Sequence, residues 1–296
     1  MLIIIVFVVK YLQDKVEIIG KEKINRFNGF CSQNNAETIS IQKEIKSAEF
    51  YIFVCKTYSM KYLYFDFKLF LILAFTFIIM TVAGTLSHEL GHYAVAEYLG
   101  YDARIDYQSM HTENDVRRKY LDSTFEKYSF EIKNNLSFPG KQNYDTKRKE
   151  YRSDRIKILA GGPLQTMITG TIGFVLLLAY RKKIFSVNKT TVTGWLLVFC
   201  SLFWLRQTAN SFMWTAGYIF TGEKSMRADE LRLARYLDFN IWTIHSITGI
   251  LGLIVLFTIL SLFPKNQVLT FISAGLVGGI LGFYLWLMKF GQYILP

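Results

Sequence analysis

The sequence predicts an all-α fold, a polytopic bundle of about five transmembrane helices with a partly ordered polar loop. Three observations predict it. Of 296 residues, 51% are hydrophobic and 16% aromatic, and only four are proline. The apolar residues gather in long runs, as in membrane proteins. Five of these runs are close to the roughly 20 residues that cross a bilayer as a helix: Phe67 to Leu86, Ile156 to Tyr180, Thr193 to Phe220, Ile241 to Phe263 and Gln267 to Met288.

Residues 1–59 stand apart. Leu2 to Val9 is an apolar run without preceding positive charges, too short to span and lacking the basic start of a secretory signal. Residues 10–48 are polar with little periodicity, and Met60-Lys61 with its aromatic lead-in makes a natural start for the first span. The next unit, 60–100, is a single helix. Ser87 to Leu99 contains no proline and continues the first span to a C-terminal stop at Gly100. The 101–155 segment is a long polar loop. Residues 156–240 hold spans two and three. The third span is the least uniform, because Arg206, Gln207 and Asn210 lie inside it. Residues 241–296 read as a two-span hairpin, with Gly275/Gly279 and Gly278/Gly282 at the small-xxx-small spacing that lets helices pack closely.

The net charge of +11 does not imply nucleic-acid binding, because the 101–155 loop mixes 12 basic with 10 acidic residues. Counted by side, the loop side and the C-terminus carry 17 Lys and Arg against 9 on the other, which places the loop side in the cytoplasm. Arg181, Lys182 and Lys183 run against that bias. Cys31, Cys55 and Cys200 are odd in number and far apart, which fits neither a disulfide framework nor a cysteine metal site.

His88-Glu89-Leu90-Gly91-His92 carries the chemistry. Residues four apart share a helix face, so both imidazoles reach one zinc ion. Glu89, offset by about 100°, stands beside the metal, where it takes a proton from a water that the metal acidifies and delivers it to a leaving amine. Two of the chain's four histidines fall in this pentapeptide, where burying them without a partner costs several kcal/mol. A third ligand is required. Glu97 lies about 140° around the helix from His92, and Asp102 lies just past the helix end. Asp229 is preferred among Asp229, Glu230 and Asp238, which lie beyond the third span on the motif's side; Asp229 is also a natural helix N-cap, and Asn210 is a further alternative ligand.

Other polar features admit two readings each. Gly162 and Pro163, with Gly161, either open the backbone to an extended substrate or start a helix with proline in its first turn. Arg206, with Asn210 one turn on, either polarises the scissile carbonyl or pairs with a structural carboxylate such as Glu97. His111 and His245 stand alone and are poor ligand candidates.

TLSHELGHYAVAEYLGYDARIDY, followed at a distance by LAGGPLQTMITGTIGF, resembles the site-2 protease family of intramembrane zinc metalloproteases over about Phe67 to Asn240. The resemblance implies that His88 and His92 bind zinc and that Glu89 is the catalytic acid/base. It implies that Gly162-Pro163-Leu164 belongs to a G-P-x-x-N segment with Thr166 in place of its Asn, and that an Asp after or within the third span completes the site. The family's usual Asp pattern is absent, and Asp229 is its nearest substitute. The expected function is therefore a zinc metallopeptidase acting on membrane or membrane-proximal protein or peptide substrates. Its expected setting is a multi-pass protein of the prokaryotic cell membrane with the site near the cytoplasmic side. A peptidase for soluble or lipidated peptides, and a non-catalytic metal-binding membrane protein, are the alternatives. The reading of residues 1–59 as dispensable predicts a native chain beginning at Met60; an intact mass beginning at Met1 would refute it.

Overall fold

The computed structural model describes residues 64–113, 115–185, 189–222 and 228–296, within a compact unit of Lys61–Pro296. The expectations for residues 1–59 lie outside the described residues. The described chain is overwhelmingly helical. Its elements are α1 (Phe67–Tyr98), a hairpin of β1 (Asp102–Ile105) and β2 (Met110–Glu113), α2 (Val116–Lys127), α3 (Ser129–Lys133) and α4 (Lys141–Ile184). There follow α5 (Val192–Ser201), a 3-10 turn (Leu202–Trp204), α6 (Leu205–Thr221), α7 (Asp229–Tyr236), α8 (Ile241–Leu262) and α9 (Lys265–Phe283). A π-helical segment (Tyr284–Phe290) and α10 (Gly291–Ile294) close it. Among the described residues, four helices are long and apolar enough to cross a membrane: α1, α4, α8, and α9 with its continuation to Ile294.

Both ends of α1 are written in its sequence. The Asp66 carboxylate accepts from the Leu69 N–H and caps the first turn. At the other end Gly100 takes φ +77°, with Gly100 N–H donating to Glu97 O at 2.9 Å and Tyr101 N–H to Ala96 O at 3.0 Å. That paired bonding is a Schellman stop, and Tyr101 supplies its apolar contact with Ala96. The helix therefore continues past the expected span and carries the whole HELGH pentapeptide.

The Thr193 to Phe220 stretch is not one continuous helix. Ten residues of α5 cover only about 15 Å before the 3-10 turn, and α6 then resumes with its polar residues turned toward protein. Gln207 donates to Thr166 Oγ1 of α4 at 3.2 Å, Thr208 to Gly249 O of α8 at 3.1 Å, and Ser211 to His245 O. Tertiary partners explain why so polar a segment sits among apolar helices.

The 101–155 segment is more ordered than expected. Its start is the hairpin, closed by the Asp106 carboxylate accepting from Gln108 and Ser109 N–H, both at 2.8 Å. Its end is the first four turns of α4, a helix of 44 residues and about 66 Å. That is twice the roughly 30 Å of a hydrocarbon layer, so one end projects as a polar rod. Asp154 on this rod accepts from Arg117 of α2 at 2.5 Å and from the Tyr101 hydroxyl at 3.1 Å, which ties the polar elements down.

The 241–296 pair does not pack chiefly on itself. α8 runs along α6 and α7, whereas α9 runs along α1. Phe77 of α1 meets Phe199 of α5 edge-on at 4.9 Å and Phe271 of α9 at 5.4 Å, at the centre of the apolar core. Between chains of equally apolar surface, such close contact and small residues hold helices together. Of the glycines on α9, Gly278 and Gly282 face the α1 backbone at Ala74 and Ile78, while Gly279 faces open space. A Cβ at Gly278 meets main chain that cannot yield. Gly278→Ala is expected to lower stability in detergent by about 1–3 kcal/mol. Gly279→Ala, where helix propensity alone acts, should gain about 0.5–1 kcal/mol. Equal thermal-unfolding midpoints for the two variants would refute this packing.

Candidate metal centre

Three side chains meet where α1, α4 and α7 converge. Asp229 Oδ2 lies 3.0 Å from His88 Nε2 and 3.2 Å from His92 Nε2, and the two imidazole Nε2 atoms are 3.2 Å apart. His88 and His92 are buried, and the Asp229 side chain retains 20% exposure, so the cluster is reached from the α7 side. Helical spacing accounts for the histidine pair. The rings stand edge to face at 86°, with centroids 4.8 Å apart.

One tautomer is fixed by the backbone. His92 Nδ1 is 2.7 Å from Ile158 O. The Gly162 N–H also lies 3.2 Å from this Nδ1, but the shorter contact is to a carbonyl, which only accepts, and it favours the tautomer with the hydrogen on Nδ1 and the Nε2 lone pair toward the cluster. Burial opposes ionisation of Asp229, but its closeness to His88 and His92 outweighs that and holds the carboxyl well below the usual range. With both Nε2 atoms unprotonated, two imidazole lone pairs and a carboxylate would converge in one buried volume, an arrangement that a cation would reconcile. Edges of 3.0–3.2 Å are close to the about 3.3 Å between ligands of tetrahedral zinc with bonds of about 2.0–2.1 Å. His88, His92 and Asp229 together could hold a metal ion.

Glycines permit this geometry. α1 and α4 touch backbone to backbone: a Cβ on Gly91 would stand 2.5 Å from Gly161 O, and a Cβ on Gly161 would stand 2.5 Å from Gly91 O. Gly162, one residue on, lies under the ligands, where a Cβ would come 2.7 Å from His88 Nε2 and strike His92 Nε2. The Gly161-Gly162-Pro163 segment neither breaks nor starts a helix, because α4 runs through it unbroken. Pro163 does withhold the N–H that would serve Leu159 O.

Glu89 stands beside the cluster. Its Oε2 accepts from the Met110 N–H of β2 at 3.0 Å, and its Oε1 lies 3.7 Å from Arg206 Nη2. The expected pairing of Arg206 with Glu97 is not found, since Glu97 Oε1 accepts from Ala103 N–H at 3.2 Å. Asn210 does not face the metal ligands either; its amide donates to Glu230 Oε1 at 3.5 Å. Glu230 is buried, which raises its carboxyl pKa, and its other oxygen lacks a protein partner. Asp238 accepts from Arg152 at 2.7 Å, on the outer end of α7. Among the carboxylates weighed from the sequence, Asp229 alone meets the histidines; it is the first helical residue of α7, with Ala228 as the N-cap. His111 pairs with Asp106, and His245 packs between Trp214 and Trp242.

Three participants were not anticipated. The Met110 N–H and the Ile158 carbonyl are main-chain groups, invisible to motif reading. Gly91 occupies an unrestricted position of the motif, and only the crossing with α4 gives it a role. No protein-family model, curated protein or solved structure matches the chain.

Because a Cβ at Gly162 would meet both Nε2 atoms, Gly162→Ala is expected to weaken binding of an added metal ion, with zinc as the probe, by about 10–100-fold while the helices remain folded. Competition with a chromophoric chelator measures it, and wild-type affinity in this variant would refute the cradle.

Proposed function

We propose that this protein is a membrane zinc metallopeptidase of the site-2 protease kind. It would hydrolyse peptide bonds in membrane-embedded or membrane-proximal proteins and peptides. The observation that carries the proposal is the meeting of His88, His92 and Asp229 within 3.2 Å, with the Glu89 carboxylate held beside them but outside the cluster. Two imidazoles and a carboxylate are a donor set suited to zinc, and they leave one tetrahedral position for water. Bound there, zinc supplies Lewis acidity, which makes water an adequate nucleophile near neutral pH.

The chain's own residues do the rest. Asp229 and the two histidines fix one reference point, and the Ile158 carbonyl holds His92 in the tautomer that points Nε2 toward it. Glu89 accepts the proton as water attacks the carbonyl carbon, then returns it to the nitrogen as the C–N bond breaks. The Met110 N–H keeps that carboxylate oriented at 3.0 Å without occupying its other oxygen. Burial among apolar helices excludes bulk water and strengthens each of these interactions. The bias of lysine and arginine along the chain favours a site on the cytoplasmic side of the membrane. A non-catalytic metal-binding protein would need the three ligands but no carboxylate poised beside them.

Glu89→Gln separates these readings, because the amide oxygen still accepts from Met110 N–H but cannot take a proton. The variant is expected to bind about one zinc per chain, as the three ligands are intact, and to lose about 10²–10⁴ in hydrolysis of a quenched-fluorescence peptide library. Asp229→Ala should lose the metal itself. A Glu89→Gln protein as active as wild type would sink the mechanism.

A further inference from the structure

We infer that Arg206 is the carbonyl-binding residue of this site: its guanidinium receives the oxygen of the scissile bond on the Glu89 side of the ligand cluster. The inference rests on the peptidase reading above.

Arg206 is placed for this, and its ion pair among the described residues is with Glu89 itself. It lies in the first turn of α6, just after the 3-10 turn, and its Nη2 reaches to 3.7 Å from Glu89 Oε1. That separation gives electrostatic attraction without a formed hydrogen bond. Its Nε is buried and donates to no partner, which is costly for a cationic donor among apolar helices unless a ligand completes it. The alternatives are occupied. Glu97 serves Ala103, Asn210 serves Glu230 and Gln207 serves Thr166. The Arg206 side chain keeps 30% exposure while Nε is covered, so an incoming chain meets the guanidinium from the open side. The two oxygens of Glu89 also divide the space, with Met110 N–H on Oε2 and Arg206 near Oε1.

The chemistry then balances. Water oxygen bonds to the carbonyl carbon, its proton passes to Glu89, and the π pair moves onto the carbonyl oxygen beside Arg206. As that pair returns, the C–N bond breaks and the Glu89 proton goes to the nitrogen. One water is consumed, and one acid and one amine result. Arg206 stabilises the charge that exists only between these events.

The test uses zinc-loaded full-length protein in detergent, with an N-phosphoryl dipeptide as tetrahedral mimic and a dipeptide hydroxamate as metal-chelating control. Arg206→Gln is expected to lose about 10²–10³ in affinity for the phosphoryl peptide, with zinc content and hydroxamate affinity within about threefold of wild type. Arg206→Lys, which keeps the charge but not the fork, should recover part of the loss. Hydrolysis should fall in kcat with KM little changed, and methylguanidinium should restore part of the activity of Arg206→Ala. Phosphoryl-peptide binding by Arg206→Gln equal to wild type overturns the role of Arg206 and leaves the peptidase reading standing. Loss of zinc from both Arg206→Gln and Arg206→Lys also overturns it, in favour of structural support. A zinc-loaded wild type that binds neither probe and cleaves no peptide defeats the peptidase reading itself.

Discussion

The approach of α1 to α4 at Gly91 and Gly161 governs the rest of the centre. Two backbones that would hold a Cβ at 2.5 Å from the opposite carbonyl are as close as helices come. At that distance the next residue of α4, Gly162, lies directly beneath the histidines, and Ile158 O comes within hydrogen-bonding range of His92. A larger residue at any of the three glycines would move the two helices apart. The imidazoles would then lose the floor they rest on, and His92 the Ile158 carbonyl that it meets. Close packing of small residues here positions the histidine–aspartate cluster as much as it assembles the helices.

A second constraint is the cost of polar groups among apolar helices. The chain meets it by giving most of these groups a partner on a different helix. Gln207 turns to Thr166, Thr208 to Gly249, Asp229 to the histidines and Asn210 to Glu230. The polar face of α6 is therefore an inward face, and that segment need not satisfy the length and hydropathy expected of a lipid-exposed span. Of the buried atoms left without partners, His88 Nδ1 belongs to the cluster itself, and Arg206 Nε and Glu230 Oε2 are on residues next to Glu89 and Asp229.

Much of this was legible in the sequence, and the limits are instructive. The long apolar runs announced the helices. The HELGH spacing announced a metal-binding face, because periodicity on one helix needs no tertiary information. Gly100 announced the end of α1. Topology narrowed the third carboxylate to Asp229, Glu230 and Asp238 on the motif's side, and only the fold singles out Asp229. What escaped depended on contacts distant in the chain. Glu97 and Arg206 were each sensible partners until the hairpin took the first and Glu89 the second. The hairpin was hidden because eight strand residues in a polar loop give little pattern, and because its contribution to Glu89 is a main-chain N–H that any residue could supply. The continuity of α4 through Pro163 was hidden for a related reason: proline argues for an end locally, and packing overrides it.

The length of α4 has one further implication. Arg152 binds Tyr236 O and Asp238 at the far end of α7, Ile158 and Gly162 receive His92, Gly161 abuts α1, and Thr166 receives Gln207 of α6. All of these attachments fall within about 21 Å of one continuous helix. That stretch is a common datum: the histidines and the carboxylate, borne on two otherwise separate elements, meet each other and are also registered against the same ruler. Bending of α4 beyond Thr166, toward Ile184, would then lie outside these attachments and leave the spacing of His88, His92 and Asp229 undisturbed.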